Sequence, residues 1–423
     1  MEARKPSSAR GWLVTLVGML AAVAIAINMF KVPPTMGLLM ADLGIGPALG
    51  GWLMTVPTVT GLVLALPSGG LTDKFGPKKV GLFAILSAAV GSLIGSFAPN
   101  IELLLFSRFV EGLSFALIGV AVPAIIALWF SPEKSGAPMA IWSGWVPVGM
   151  LAIFTGANLF IAADDPGTWA NVWWLSTALL VAAAVLYLVF VKAPEGYAGE
   201  DAPKISLVEG MKSPSTWLLA VVFAMFAFIM YAVSTFAPTY CMEELGYSLE
   251  DSNLYSSLIT VGMILGVVLM TPVLNKVVRL KSRIWLLVAS MVLTALIAVL
   301  AFNVPPSASV AVMIITGIVL QLVPAVIWPI APSAAVAPVY IGTTFGVIAL
   351  GRSIGGFGNA SIGTLIETSG WGAAVMLLVG IGVVGVAACL ALLKFLKEPA
   401  GAAAPAGAPA EPAEAEAAGR SAR

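Results

Sequence analysis

Five ionisable side chains lie inside stretches of the sequence that are otherwise apolar. They are Lys31, Arg108, Glu111, Arg352 and, near the end of its stretch, Glu367. A charge at membrane depth is costly, so such residues face a protein interior or a watery cavity and mark ion or substrate pathways. The chemistry that they favour is the binding of an ion or a proton.

Arg108 and Glu111 are three residues apart, so on a helix they share one face. Two interpretations stay open. The pair is either a self-neutralised structural contact, or it separates when Glu111 takes up a proton and so couples protons to a substrate.

Arg352 has no acidic residue within a helical turn. A buried guanidinium needs a partner, and its planar fork fits a carboxylate or another oxyanion. We expect Arg352 to bind an anion; pairing with Glu111 is the alternative. Lys31, which precedes Pro33, is expected to face the same cavity, although its stem could instead reach lipid headgroups.

Three cations against one embedded acid predict a positive cavity and an anionic substrate. Polar and aromatic residues in the same stretches are further candidates for the cavity lining, although most such residues simply pack. They are Asn28, Trp142, Trp145, Asn158, Gln321, Trp328 and Asn359.

The composition excludes several classes of protein. With 60% hydrophobic and 10% charged residues among 423, the chain is a polytopic membrane protein. Its net charge of zero suggests no nucleic-acid partner. Two distant cysteines indicate no disulfide framework. No histidine is present, and no nucleophile–base pair, metal cluster or phosphate loop is visible, so we expect neither an enzyme nor a bound metal or cofactor.

Apolar stretches of about 20 residues or more can cross a membrane as helices. The sequence contains twelve, which we number as spans 1 to 12: 12–41, 49–68, 79–98, 101–129, 137–162, 170–191, 216–241, 253–274, 284–303, 308–333, 340–367 and 371–396. We therefore predict an all-α membrane protein. Its parts are an N-terminal segment (1–11), a six-helix bundle (12–192), a linker (193–215), a second six-helix bundle (216–397) and a disordered tail (398–423).

The basic residues predict the orientation. Of the 21 Lys and Arg residues, only Lys31, Arg108 and Arg352 lie well inside spans. The other eighteen lie in the two termini, in the loops after spans 2, 4, 6 and 8, or at span ends next to these segments, all on one side. This bias places both termini in the cytoplasm.

The two bundles repeat one another weakly. The tripeptide Asp42-Leu43-Gly44 recurs as Glu244-Leu245-Gly246, and Asp73-Lys74 recurs as Asn275-Lys276, in both cases 202 residues later. Matches at one offset indicate a duplicated six-helix unit.

The loop after span 2 carries the most specific motif, with Gly69, Asp73, Lys74, Gly76 and Lys78 in the order G-x-x-x-D-K-x-G-x-K. It resembles the corresponding loop of the major facilitator superfamily. Arg108 and Glu111, followed by Gly112, also match a helix-4 pattern of that superfamily. The resemblance implies two six-helix pseudo-repeats with the substrate between them, lined mainly by spans 1, 4, 7 and 10 together with spans 2, 5, 8 and 11. It also implies that the loop stabilises one access state.

Two shorter resemblances concern the substrate. Residues 30–44 look like cyanate-permease-like carriers, and a cation on span 11 is similar to oxalate/formate exchangers. The glycine-rich helix-5 signature of drug–proton antiporters is not met by residues 144–150. We therefore expect a carrier of a small organic acid or inorganic oxyanion in the bacterial inner membrane. It would work by alternating access, as a monomer, with a proton or a counter-anion as partner. Efflux of hydrophobic or drug-like compounds is the alternative, and a membrane enzyme or a sensor is the less favoured class.

Overall fold

The computed structural model describes residues 8–65, 67–130, 138, 141–142, 144–192, 207–277, 279–337 and 340–396. In these ranges no β-strand occurs, apart from one isolated bridge between Ala162 and Asp165. The α-helices are α1 Ser8–Met29, α2 Val32–Leu43, α3 Pro47–Ala65, α4 Pro67–Phe75, α5 Pro77–Ser96, α6 Ile101–Trp129, α7 Trp145–Gly156, α8 Trp169–Phe190, α9 Leu207–Gly210, α10 Pro214–Glu243, α11 Leu249–Lys276, α12 Leu280–Ala301, α13 Ser309–Ala334, α14 Ile341–Gly355 and α15 Gly358–Phe395. The predicted all-α fold is confirmed.

The twelve predicted spans correspond to these helices. Ten helical stretches of the described chain are long and apolar enough to cross a membrane. The last of them, Thr343–Phe395, contains two spans, because at Gly370 the backbone leaves the helical region with φ 77° and ψ 177°. The shorter apolar stretch Trp145–Leu159 is span 5. Span 1 is α1 with α2, and span 11 is α14 with the part of α15 before Gly370.

Each half packs mainly within itself. Span 1 lies against spans 4, 5 and 6, and span 7 lies against spans 8 and 11. The halves meet where span 2 packs on span 11, span 5 on span 8, and α2 on span 7. The first span of each half ends at a glycine in the left-handed region, Gly44 (φ 61°) and Gly246 (φ 69°). The predicted pseudo-repeat therefore has matching helix ends.

Helix starts follow from capping residues. The Asn100 side chain accepts the Leu103 N–H at the start of span 4, the Ser213 hydroxyl accepts the Thr216 N–H, and Ser248 caps span 8. Short polar side chains satisfy backbone donors that a helix N-terminus leaves free. The polar residues that separate the apolar stretches of the sequence thus form short connections between helices.

The motif after span 2 is more helical than the loop that the sequence predicts. The backbone is helical through α4 up to Phe75, leaves the helix only at Gly76 (φ 82°), and re-enters it at Pro77. Proline is well placed there, because the first helical residue needs no N–H partner. The single turn is therefore tighter than an open loop.

Several predicted segments lie outside the described residues: the first seven residues, 193–206 of the linker, and the tail from 397. Within the predicted linker, α9 and the start of α10 are helical. The domain boundaries remain predictions.

Candidate functional site

Two prolines create the setting for Arg108. In a continuous helix each C=O accepts from the N–H four residues later. Pro33 and Pro57 have no N–H, so the carbonyls of Met29 and Leu53 lose these partners. Arg108 replaces both, donating from Nη2 to the Met29 oxygen at 2.8 Å and from Nε to the Leu53 oxygen at 2.9 Å. One guanidinium thus caps backbone groups of spans 1 and 2.

The remaining Arg108 donor meets Glu111. Nη1 donates to the Asn28 carbonyl at 3.1 Å and to Oε2 of Glu111. The other carboxylate oxygen of Glu111 pairs with Lys31 Nζ at 2.8 Å. Both oxygens of the embedded acid are therefore occupied within the first half.

Lys31 lies at the break between α1 and α2 and points into the first half. Its ammonium donates to Asn28 Oδ1 at 2.8 Å, to Ser92 Oγ at 2.9 Å and to Glu111. The ring of Trp173 lies 4.3 Å from Nζ. An ammonium has three donors, and all three are used here.

This position differs from the expectation that Lys31 lines the cavity between the halves. The Pro33–Pro34 break gives the residue a free direction, and the Glu111 carboxylate draws it toward spans 3, 4 and 6. Asn28, also expected to line the cavity, belongs to the same network. We call Lys31, Arg108 and Glu111 the charge cluster; its net formal charge is +1, and each side chain is at most 1% exposed.

Arg352 has a different environment. It is partly buried in span 11, and within the part of the chain that the structure describes, no hydrogen bond or ion pair uses its guanidinium. The predicted alternative, a pair with Glu111, is not formed, because that carboxylate is occupied. The guanidinium carbon lies 5.1 Å from the centre of the Phe115 ring. Its charge also acts on the hydroxyl of Tyr231.

Aromatic rings from both halves form a connected group around Phe115, the ring that lies against this cation. Phe30 lies 6.4 Å from Phe115, edge to face, and 6.4 Å from Tyr231, nearly parallel. Trp145 lies 4.9 Å from Phe115 and stacks on Trp142 at 5.4 Å. Arg352, Tyr231, Phe30, Phe115 and Trp145 form what we call the interface site. It combines one uncommitted cation with flat apolar walls.

Phe30, Phe115 and Tyr231 were not predicted from the sequence. A signal existed for two of them: Phe115 is one turn beyond Glu111 on the same helix face, and Phe30 precedes the Pro-Pro break. Tyr231 has no such marker among the many aromatic residues of span 7. Only the packing of span 7 against span 11 within the second half brings it near Arg352.

The other predicted lining residues lie elsewhere. Asn359 accepts from the Thr235 hydroxyl at 2.7 Å and donates to the Gly356 carbonyl at 3.0 Å. Gln321 packs beside Gly266. Trp328 is 39% exposed and lies between two phenylalanine rings of the second half. The structure does not bring these three side chains against Arg352.

The motif after span 2 belongs neither to the charge cluster nor to the interface site. Gly76 forms the turn, and Lys78 donates to the Leu188 carbonyl at 3.1 Å, which ties spans 3 and 6 together. The surroundings of Gly69, Asp73 and Lys74 lie outside the described part. The predicted role of this motif in stabilising an access state remains a prediction.

The halves are joined at one face. We call it the odd-loop face, because it carries the connections after spans 1, 3, 5, 7, 9 and 11. Asn253 donates to the Pro34 carbonyl at 3.0 Å and to Asn158 Oδ1 at 2.8 Å. Glu367 accepts the Ala48 N–H at 3.0 Å. All the hydrogen bonds between halves that the described residues make lie toward this face, so the molecule is closed there.

Comparison with known proteins agrees with this architecture. The family model described as Major Facilitator Superfamily matches residues 18–360. A protein of Mycobacterium tuberculosis assigned as a probable nitrate/nitrite transporter, NarK2, is 26% identical, covering 75% of this chain and 79% of its own. A protein of Bacillus subtilis assigned as a niacin/nicotinamide transporter, NiaP, is 24% identical, covering 74% of this chain and 78% of its own.

A third relative is named for a different function. The multidrug resistance protein B homolog of M. tuberculosis is 27% identical, but the match covers 42% of this chain and 38% of its own. Among solved structures, a point mutant of the nucleoside transporter NupG superposes with a TM-score of 0.71 at 11% identity, covering 91% of this chain and 100% of that one. At that identity the likeness concerns the fold.

Proposed function

Because the chain belongs to the Major Facilitator Superfamily, we propose that it is a secondary transporter of a small monovalent oxyanion. The observation that carries this proposal is the uncommitted Arg352 guanidinium between the two halves. A guanidinium without a carboxylate partner attracts a carboxylate or a similar planar anion. Each half contributes side chains to this site, as alternating access requires.

The valence of the substrate follows from the charge cluster. Lys31 and Arg108 share Glu111 inside the first half, so neither has a donor free to bind an anion at the interface site. One cation remains there, which favours a monoanion over a dianion. The surrounding rings favour a planar ligand, and the relatives named for nitrate and niacin match that chemistry.

The coupling ion is a proton in this proposal, and Lys31 carries it. If Glu111 were protonated, two buried cations would remain without an anion, which is unfavourable. If Lys31 loses its proton, Arg108 and Glu111 remain as a neutral pair. This inverts the role that the sequence suggested for Glu111. Exchange against a counter-anion is the alternative.

Orientation and assembly are part of the proposal. The eighteen basic residues in or beside the termini and the loops after spans 2, 4, 6 and 8 support a bacterial inner-membrane protein with both termini in the cytoplasm. The odd-loop face is then extracytoplasmic, and the structure is closed on that side. One chain supplies both sides of the interface site, so a monomer suffices.

Drug efflux is the second candidate, supported by the relative named for multidrug resistance. That match covers less than half of either chain, and the drug-antiporter signature is absent from span 5. A lone cation at the interface site also disfavours cationic drugs. The transport assay therefore includes a neutral and a cationic drug, whose movement would support this function.

Counterflow in proteoliposomes tests the proposal. The panel contains labelled nitrate, formate, nicotinate and benzoate, the dianions oxalate and succinate, and a neutral and a cationic drug. Three proteins are compared: wild type, Arg352→Gln, and Arg10→Gln, which makes the same change at an exposed residue.

We expect a monoanion to exchange through wild type and Arg10→Gln, with uptake by Arg352→Gln at least about 30-fold lower. Loss of charge-assisted hydrogen bonds has this magnitude. Preferred transport of a dianion would overturn the valence argument. Movement of only the neutral or cationic compound, with equal rates in all three proteins, would overturn the anion proposal.

A further inference from the structure

Span 11 is interrupted one turn beyond Arg352. The helix α14 ends at Gly355 and α15 begins at Gly358. At the break the N–H groups of Gly356 and Phe357 donate to the carbonyls three residues back, at 3.1 Å each. A continuous α-helix would instead join the Gly356 carbonyl to the Ala360 N–H.

A hydroxyl from the other half occupies that place. Thr55 of span 2 accepts the Ala360 N–H at 3.0 Å, and its own proton is shared between the Gly356 carbonyl at 3.2 Å and the Gly51 carbonyl at 3.1 Å. Thr55 is fully buried. A side chain inserted into the ladder of a helix is a recognised cause of a kink.

The two spans touch closely enough to hold the hydroxyl there. A Cβ atom on Gly51 would lie 2.2 Å from the Asn359 carbonyl oxygen, and one on Gly363 would lie 2.2 Å from the Pro47 carbonyl oxygen. Glycine is required where two helix backbones approach this closely. Separation of the halves at the odd-loop face would break this contact.

We propose that Thr55 is a positioning residue that links closure of the odd-loop face to the direction of Arg352. When the halves are closed, the hydroxyl keeps the Gly356–Ala360 hydrogen bond open and span 11 bent. When they separate at that face, the Ala360 N–H loses its partner and bonds to the Gly356 carbonyl, and the span straightens. Arg352, four residues before Gly356, then turns relative to the rest of span 11. The inference rests on the proposed function only in the role given to Arg352.

Two pairs of spin labels measure the two consequences by double electron–electron resonance. Both are placed in a background with Cys241→Ala and Cys389→Ala. Labels at Ala41→Cys and Glu244→Cys report separation of the halves at the odd-loop face. Labels at Phe345→Cys and Thr368→Cys, about 34 Å apart along a straight helix, report the bend of span 11.

The variants isolate the hydroxyl. Thr55→Val keeps the shape and removes both hydrogen-bonding functions, while Thr55→Ser keeps them. Thr60→Val, on the same helix, removes a hydroxyl that bonds only within the first half, to Val56 and Phe109.

With Thr55→Val we expect the ratio of open to closed molecules to rise about tenfold, because two hydrogen bonds that favour closure are lost. The Phe345–Thr368 distance should lengthen in the molecules that remain closed. Thr55→Ser and Thr60→Val should match wild type in both distances.

Two results would overturn the inference. If Thr55→Val leaves both distances as in wild type, the hydroxyl has no such role. If Thr55→Val raises the open fraction at the odd-loop face while span 11 keeps its bend, Thr55 only holds the two halves together and does not position Arg352. Neither measurement needs a substrate, so an error in the anion proposal would not be mistaken for an error here.

Discussion

Arg108 and Arg352 are the same residue type inside apolar spans, in opposite environments. Arg108 is fully buried in the first half, and its donors are spent on three carbonyls and Glu111. Arg352 lies between the halves with an aromatic ring beneath it and no carboxylate paired to it in the described residues. The function of a buried arginine therefore depends on how many of its donors the fold has already used.

The difference originates in prolines and acids. The first half contains Pro33 and Pro57, which release carbonyls, and Glu111, which supplies charge. Around Arg352 the sequence offers glycines instead, and no acid within a turn. Arg108 thus holds spans 1, 2 and 4 together, whereas the donors of Arg352 stay uncommitted among the described residues.

The largest effect that we predict is on folding. Arg108→Gln leaves the carbonyls of Met29 and Leu53 without a strong donor and removes one partner of Glu111. Breaking a buried pair on one side costs about 3–5 kcal/mol. We expect a large drop in the thermal unfolding midpoint of the detergent-purified protein.

Arg352→Gln is the matched comparison, and its midpoint should stay close to that of wild type, within about 0.5 kcal/mol of stability. If the two variants had the same thermal unfolding midpoint, the proposed difference between Arg108, whose donors are all bonded, and Arg352, whose donors are uncommitted, would be wrong.

An intermediate effect is expected at Lys31. Lys31→Met removes a cation but leaves Arg108 and Glu111 as a neutral pair, so the protein should fold and exchange its anion. It should not accumulate that anion in response to a pH gradient. One proton carried with each monoanion gives about tenfold accumulation per pH unit, since a tenfold ratio corresponds to about 1.4 kcal/mol.

Uptake by proteoliposomes with an imposed pH gradient measures this, with anion exchange in the same vesicles as the control. Tenfold accumulation by Lys31→Met would exclude Lys31 as the proton carrier.

The smallest effect concerns the closed face. Glu367 accepts the Ala48 N–H at the N-terminus of span 2, where a negative charge is favoured by about 0.3–1 kcal/mol. Glu367→Gln should therefore raise the open fraction reported by the Ala41–Glu244 labels by about two- to fivefold. Glu102→Gln, in the first turn of span 4, is the control within one half. A shift as large as that of Thr55→Val would contradict this ranking, because Glu367 would then contribute as much to closure as the Thr55 hydroxyl.

Only part of the candidate site could be predicted from the sequence. The contact between Arg108 and Glu111 follows from their spacing, and Arg352 stands out because its neighbours hold no acid. The direction of the Lys31 side chain could not be predicted from the sequence, because a residue at a helix break has no fixed face. The Thr55 hydroxyl in the ladder of span 11 was equally invisible, since 301 residues separate it from Gly356.

The sequence by itself determined the class of this protein. Length, apolar runs and basic loops are sums over many residues, and a membrane permits few solutions for them, so an all-helical bundle and its repeat could be predicted. Only the tertiary structure decided which charges neutralise one another and which remains open. That outcome depends on distances of a few ångströms between spans far apart in the chain. A single carboxylate, Glu111, satisfies the two cations that it can reach and leaves Arg352 to the interface.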